Sequence, residues 1–164
     1  MPADFADDVP VPLQSVGTRP LFVMRLSVKP LQIVGAAPGG FRRVGVVPGG
    51  SFSGDHLSGE VLDGGADWQI VRPDGATTLD VRLVLKTDDG AMIAMSYRGL
   101  RLGPREVIER LEAGEAVDPA SYYFRIAATF ETAAPSFHWL NDLLAVGVGH
   151  RGPGGVMYSL FELV

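Results

Sequence analysis

The chain has 164 residues, 46% hydrophobic and 20% charged, a balance that supports one folded domain with a sizeable core rather than disorder. Its formal net charge of -5 argues against a nucleic-acid partner, because phosphate binding needs clustered Lys and Arg. Cysteine is absent, which excludes disulfides and thiolate metal sites and fits a cytoplasmic setting.

The opening stretch "MPADFADDVPVPLQSVGT" is acidic and carries prolines, without the basic start and apolar run of a secretory signal. It reads as an N-terminal arm over residues 1–18, followed by a single domain over 19–164. No later segment has the length of a membrane span, so no membrane partner is expected.

From residue 21 onward apolar residues recur with period two, the pattern of strands with unlike faces. "LFVMRLSV" (21–28) comes first, then "GGFRRVGVVPGG" (39–50), a strand held between Gly pairs. "HLSGEVLDGG" (56–65) and "DWQIVR" (67–72) follow, and "PDG" (73–75) predicts a turn. In "TTLDVRLVLKT" (77–87), Leu79, Val81, Leu83 and Leu85 face one way and Asp80, Arg82, Val84 and Lys86 the other. "DDG" (88–90) predicts a hairpin into "AMIAMSYRG" (91–99). "PREVIERLEAG" (104–114) reads as the one short helix, with Pro at its start and Gly at its end. "YYFRIAATFET", "LLAVGVGHRG" and "VMYSLFELV" complete the series.

Strand–helix alternation is missing, so a parallel sheet is not expected. About eight or nine antiparallel strands with tight Gly-rich corners predict an all-β closed barrel in preference to a sandwich, since closure removes exposed strand edges.

Two motifs fail on inspection. "GVGHRG" (147–152) matches the dinucleotide pattern, but a Pro-Gly-Gly turn and a strand follow it instead of a helix. "GGSFSG" (49–54) has neither nucleophile-elbow nor phosphate-loop spacing. His56, His138 and His150 lack the short spacing of a metal pair, so no metal or redox cofactor is expected.

What remains is a set of polar and aromatic residues at strand ends. Asp67 and Trp68 sit side by side after a glycine corner. A carboxylate packed against an indole is desolvated, which raises its pKa and suits it to proton transfer near neutrality. Arg43, Arg72 or Arg125 can then hold a substrate carboxylate or an oxyanion. In residues 122–131, Tyr123, Arg125, Ala127, Thr129 and Glu131 share one face, which is either solvent surface or the wall of a polar pocket. The ordinary structural reading is that Asp67 caps a turn, Trp68 fills the core and the charges are solvated.

The blocks "GVVPGGSFSG", "LSGEVLDGGADWQIVRPDG", "DVRLVLKTDDGAMI", "YYFRIAATFET" and "WLND" together resemble the bacterial and fungal family known as domain of unknown function 3237, or UPF0311. The resemblance runs from about Pro20 to the C-terminus. It implies a small lipocalin-like or allene-oxide-cyclase-like barrel, assembled as a homodimer, and marks Arg43, Gly50, Gly54, Gly65, Asp67, Trp68, Arg72, Tyr123, Arg125, Glu131, Trp139 and Asn141. Arg82 and Leu83 stand where the resemblance leads one to expect a more aromatic pair.

Three functions follow as expectations. The first is an enzyme that moves protons on a small aromatic or carbonyl-containing metabolite, by lyase, isomerase or cyclase chemistry. Asp67, Glu131 and Arg125 would be its catalytic groups. Arg43, Trp68, Arg72, Tyr97, Tyr123, Trp139 and Asn141 would contact the small molecule. The second is a barrel that binds a small ligand without altering it. The third is a structural homodimer with solvated polar faces.

Overall fold

A computed structural model describes residues 8–164. Part of the arm expected over 1–18 therefore lies outside the described residues. Its described remainder is mostly exposed up to the start of β1 (Thr18–Ser27).

Ten further strands follow: β2 (Gln32–Ala37), β3 (Gly40–Val47), β4 (Gly49–Ser53), β5 (Ser58–Val61), β6 (Gly65–Val71), β7 (Thr77–Thr87), β8 (Met92–Leu102), β9 (Tyr123–Glu131), β10 (Ala145–Gly152) and β11 (Gly155–Leu163). All pairings are antiparallel, and β7 pairs β8 while β1 pairs β11, so the sheet closes on itself. Only Pro48 separates β3 from β4, and only residues 62–64 separate β5 from β6. Both pairs act as single bent strands, and the barrel has eight staves. β4 and β5 pair in its wall, while β3 and β6 carry β2 as an extension at one end.

Alternation behaves as the sequence predicts. In β7, Leu79, Val81, Leu83 and Leu85 are buried, and Asp80, Arg82, Val84 and Lys86 are exposed. The "PDG" and "DDG" turns carry Gly75 and Gly90 at positive φ, where glycine meets little steric cost. The predicted helix forms as α1 (Arg105–Glu112), which buries Leu111 against the barrel end. Three-residue 3-10 turns occur at Val11–Leu13 and Pro119–Ser121, and a longer 3-10 segment at Pro135–Asp142. Among the described residues no helix is long and apolar enough to cross a membrane.

The two ends of the barrel differ. One is plugged by Phe22, Phe52 and Phe130, whose rings meet at 5.5 and 5.9 Å, together with Ile93, Met95 and Leu140. The other is split. There, among the described residues, β2 pairs only with β3, so the segment after β1 and the β10–β11 hairpin face each other without strand pairing. The hairpin tip presses closely on β1: at Gly155, φ +121°, a Cβ would lie 2.4 Å from the Leu26 carbonyl oxygen. This split end carries the polar interior.

Candidate functional site

A cavity of about 340 Å³ opens at the split end, lined by β1, the 28–31 segment, β6, β8 and the β10–β11 hairpin. The period of two puts Asp67 and Gln69 of β6, and Tyr97 and Arg101 of β8, on inward positions. Asp67 stands opposite Val81, and Val81 opposite Tyr97, so the acid and the phenol share one row across three strands. Tyr158 reaches the same space from β11, with its ring 5.3 Å from that of Tyr97.

The polar groups form a chain with a forced orientation. Arg43 Nε donates to Gln69 Oε1 at 2.7 Å, and Arg carries donors only, so the Gln69 amide must point its nitrogen the other way. Gln69 Nε2 donates to Asp67 Oδ2 at 2.7 Å. Among the described residues Asp67 Oδ1 has only a long contact, 3.3 Å, from the Asp80 backbone N–H. At the far end of the chain, Arg43 grips Glu112 of α1 with two bonds, 3.1 and 2.8 Å. Arg101 Nη2 joins the same carboxylate at 2.7 Å, and Arg151 Nη1 lies 3.9 Å from it.

Burial sets the proton affinities. Asp67 is 9% exposed, and desolvation pushes its carboxyl up to about 6. The Gln69 bond, the Asp80 N–H and the charges of Arg101 and Arg43 oppose that rise without cancelling it. Tyr97 and Tyr158 are raised by burial first and by the Asp67 charge among lesser causes, so both phenols keep their protons at neutral pH. Burial lowers the Arg101 guanidinium, partly offset by Glu112. Burial also pushes Glu112 up, but the Arg43 bond and the Arg101, Arg43 and Arg151 charges hold it below the usual range.

The apolar wall beside Asp67 differs from the one expected. Trp68 points outward, 54% exposed, because its neighbour in the strand points in. Val28 and Leu31 take that place. They pack over Gly45, which stands opposite Asp67 in β3, and both line the cavity.

The other expected residues divide clearly. Asp67, Arg43 and Tyr97 come together at the split end. Tyr123, Arg125 and Glu131 lie on the exposed face of β9, where the Arg125 guanidinium stacks 4.9 Å from the Tyr123 ring centre. That face is solvent surface, not the cavity wall. Arg72 is exposed and paired with Asp74. Asn141 clamps Thr132, accepting from its N–H at 2.8 Å and donating to its carbonyl at 3.0 Å, and Trp139 packs edge-on to His56. Both belong to the 3-10 segment that follows β9 beyond Glu131, remote from Asp67. Tyr122 Oη meets His150 Nδ1 at 2.7 Å. Among the described residues no three His, Asp or Glu side chains converge as a metal-binding group.

The profile described as "Protein of unknown function (DUF3237)" matches residues 16–163. The chain belongs to this family. A UPF0311 protein of Rhodopseudomonas palustris is 34% identical over 147 residues, which is 90% of this chain and 96% of that one. One from Clostridium acetobutylicum is 40% identical over 124 residues, 76% and 78% of the two chains. Among solved structures, a β-barrel-like protein from Acinetobacter baumannii has a TM-score of 0.80 at 38% identity, covering 92% of this chain and 97% of its own. A structure described as that of an enzyme from Penicillium herquei has a TM-score of 0.69 at 20% identity, covering 91% and 95%. That last likeness is one of fold alone.

In this DUF3237 chain the sequence reading missed Gln69, Arg101, Glu112, Arg151 and Tyr158. The signal for Arg101 was present, since Ile93, Met95, Tyr97 and Arg101 fall on one parity of a single strand. Glu112 carries no such signal: only the docking of α1 on the barrel end brings it to three arginines.

Proposed function

We propose that this DUF3237 protein is an enzyme that moves protons on a small carbonyl-containing or aromatic metabolite in the split-end cavity. Asp67 is its general acid–base, in a reaction of the isomerase, lyase or cyclase type. The observation that carries this reading is a buried carboxyl, titrating at about 6, on the wall of a cavity large enough for a small metabolite. A general base is most effective when its pKa lies near the working pH.

Oδ2 of Asp67 is committed to Gln69, which leaves Oδ1 as the oxygen that exchanges a proton. Above pH 6 the carboxylate takes a proton from carbon next to a substrate carbonyl. The C–H electron pair forms a carbon–carbon double bond while the carbonyl π pair moves onto oxygen, which gives an enolate. Tyr97 and Tyr158, both protonated, and the Arg101 charge oppose that developing negative charge. Asp67 then delivers the proton to a different atom, which completes an isomerisation, or first trades it with water and delivers the new one to the same atom, which gives exchange with solvent. Arg43 acts through Gln69 as a positioning residue.

The test is deuterium incorporation from D2O into two enolisable probes, neutral 2-indanone and anionic phenylpyruvate, followed by NMR. The reading expects protein-accelerated exchange of at least one probe, rising with pH through about 6, and loss of that acceleration in Asp67→Asn. Binding without turnover predicts that Asp67→Asn changes affinity alone. Exchange equally fast in Asp67→Asn would refute the assignment.

A further inference from the structure

The charges on the cavity wall are unbalanced. Two guanidinium groups, Arg101 and Arg151, line it, against one carboxylate, Asp67, which is half protonated near pH 6. Glu112 engages both arginines, and the Arg101 guanidinium also lies 5.7 Å from the Phe124 ring centre, but neither cation is saturated. Arg101 is 2% exposed, yet its Nε has no partner among the described residues, and a buried cationic donor without an acceptor is costly. Arg151 meets Glu112 only through one nitrogen at 3.9 Å, beyond hydrogen-bond range. The rest of the wall is apolar, with Leu26, Leu31, Leu79 and Phe124 among its members.

We infer that the natural ligand of this cavity is a small organic carboxylate, its carboxylate held by Arg101 and Arg151 and its hydrocarbon body packed against the apolar wall. A planar guanidinium fork matches the two oxygens of a carboxylate, and the lining holds two such groups. Burial among hydrophobic side chains favours an aromatic or branched body over a sugar. The inference deepens the proposed function and rests on the split-end cavity being its ligand site: it makes the substrate an enolisable carboxylic acid, such as a 2-oxo acid.

The experiment is calorimetric titration at pH 5.5 with benzoate and with benzamide, which has almost the same shape without the charge. Wild type is expected to bind benzoate at least tenfold more tightly than benzamide. Arg151→Gln, at the partly exposed rim, is expected to lower benzoate affinity about tenfold, as is the charge-conserving Arg101→Lys, which lacks the fork. Arg125→Gln, which removes a cation from the outer wall, leaves affinity unchanged. Equal affinity for the two probes, absence of benzoate binding at millimolar concentration, or unaltered benzoate affinity in Arg151→Gln would each overturn the inference. Asp67-dependent exchange of 2-indanone would still stand after such a failure. Conversely, Arg151-dependent benzoate binding without Asp67-dependent exchange would retain the carboxylate site and remove the catalytic role.

Discussion

Asp67 makes a thermodynamic prediction that needs no substrate. Its folded-state pKa of about 6 lies above the ordinary 3.8, so folding favours the protonated form. The stability linked to that proton is complete below pH 3.8 and is lost as the pH rises through 6. The full difference is about 3 kcal/mol at ~1.4 kcal/mol per pH unit, of which about 2 kcal/mol falls between pH 4.5 and 7.5. Asparagine at this position has no such dependence. Its oxygen can still accept from Gln69, while its amide nitrogen turns a donor toward the Asp80 N–H and adds an offset that does not vary with pH. The stability of Asp67→Asn relative to wild type is therefore expected to rise by about 2 kcal/mol from pH 4.5 to 7.5. For a domain of this size that is roughly 4–8 °C in Tm, measured by calorimetry at matched ionic strength. A difference between the two proteins that stays constant across this range would show that Asp67 is solvated and would remove the basis for its role.

Three further substitutions probe the surroundings. Glu112→Gln leaves Arg43, Arg101 and Arg151 facing one another without a counter-charge and is expected to cost about 2–3 kcal/mol in denaturant titration. Because Glu112 has a lowered pKa, its contribution is present above pH 4.5 and fades as the pH falls further, so wild type and variant should converge in acid. Asn141→Ala removes both bonds to Thr132 at the plugged end and is expected to cost about 1–2 kcal/mol while leaving exchange of either probe unchanged. Gly155→Ala sets a methyl group against the Leu26 carbonyl at φ +121°, so it is expected to destabilise by more than about 1 kcal/mol and weaken benzoate binding at the cavity rim.

The strand pattern was legible because side-chain direction in a strand depends only on parity. β7 and β9 alternate without a break, and the two Gly turns flanking β7 follow from local φ requirements. β2 was not legible, since "QIVGAA" is short, exposed and interrupted by Gly35 at positive φ. The bend at Pro48 likewise hid the division of one apparent strand into β3 and β4. Parity also assigns Trp68 and Asp67 to opposite faces, so the acid had to lose its water by another route. That route is Val28 and Leu31, which precede it by more than 30 residues and meet it only through the β3–β6 pairing. On β9 the alternation identified two faces without showing which was inside. Only barrel closure determines that Phe124 and Ile126 point in while Arg125 and Glu131 point out.

The two barrel ends are filled by opposite chemistry. A closed eight-stranded barrel of this size can fill its interior with side chains, and the plugged end does so with aromatic and aliphatic groups. At the split end the same inward positions hold an acid, an amide, two phenols and arginines tied to a helix carboxylate. Replacing such buried charges by well-packed hydrophobic residues is often neutral or stabilising in proteins, so stability alone gives little reason to keep them. Their bonds spread from Arg43, which donates to Glu112 on one side and to Gln69 on the other, with Gln69 donating on to Asp67, and among the described residues they leave two loose ends: a weakly held carboxylate oxygen and an unpaired guanidinium nitrogen. Both belong to side chains on the wall of the same cavity, which is the arrangement a bound reactant would complete.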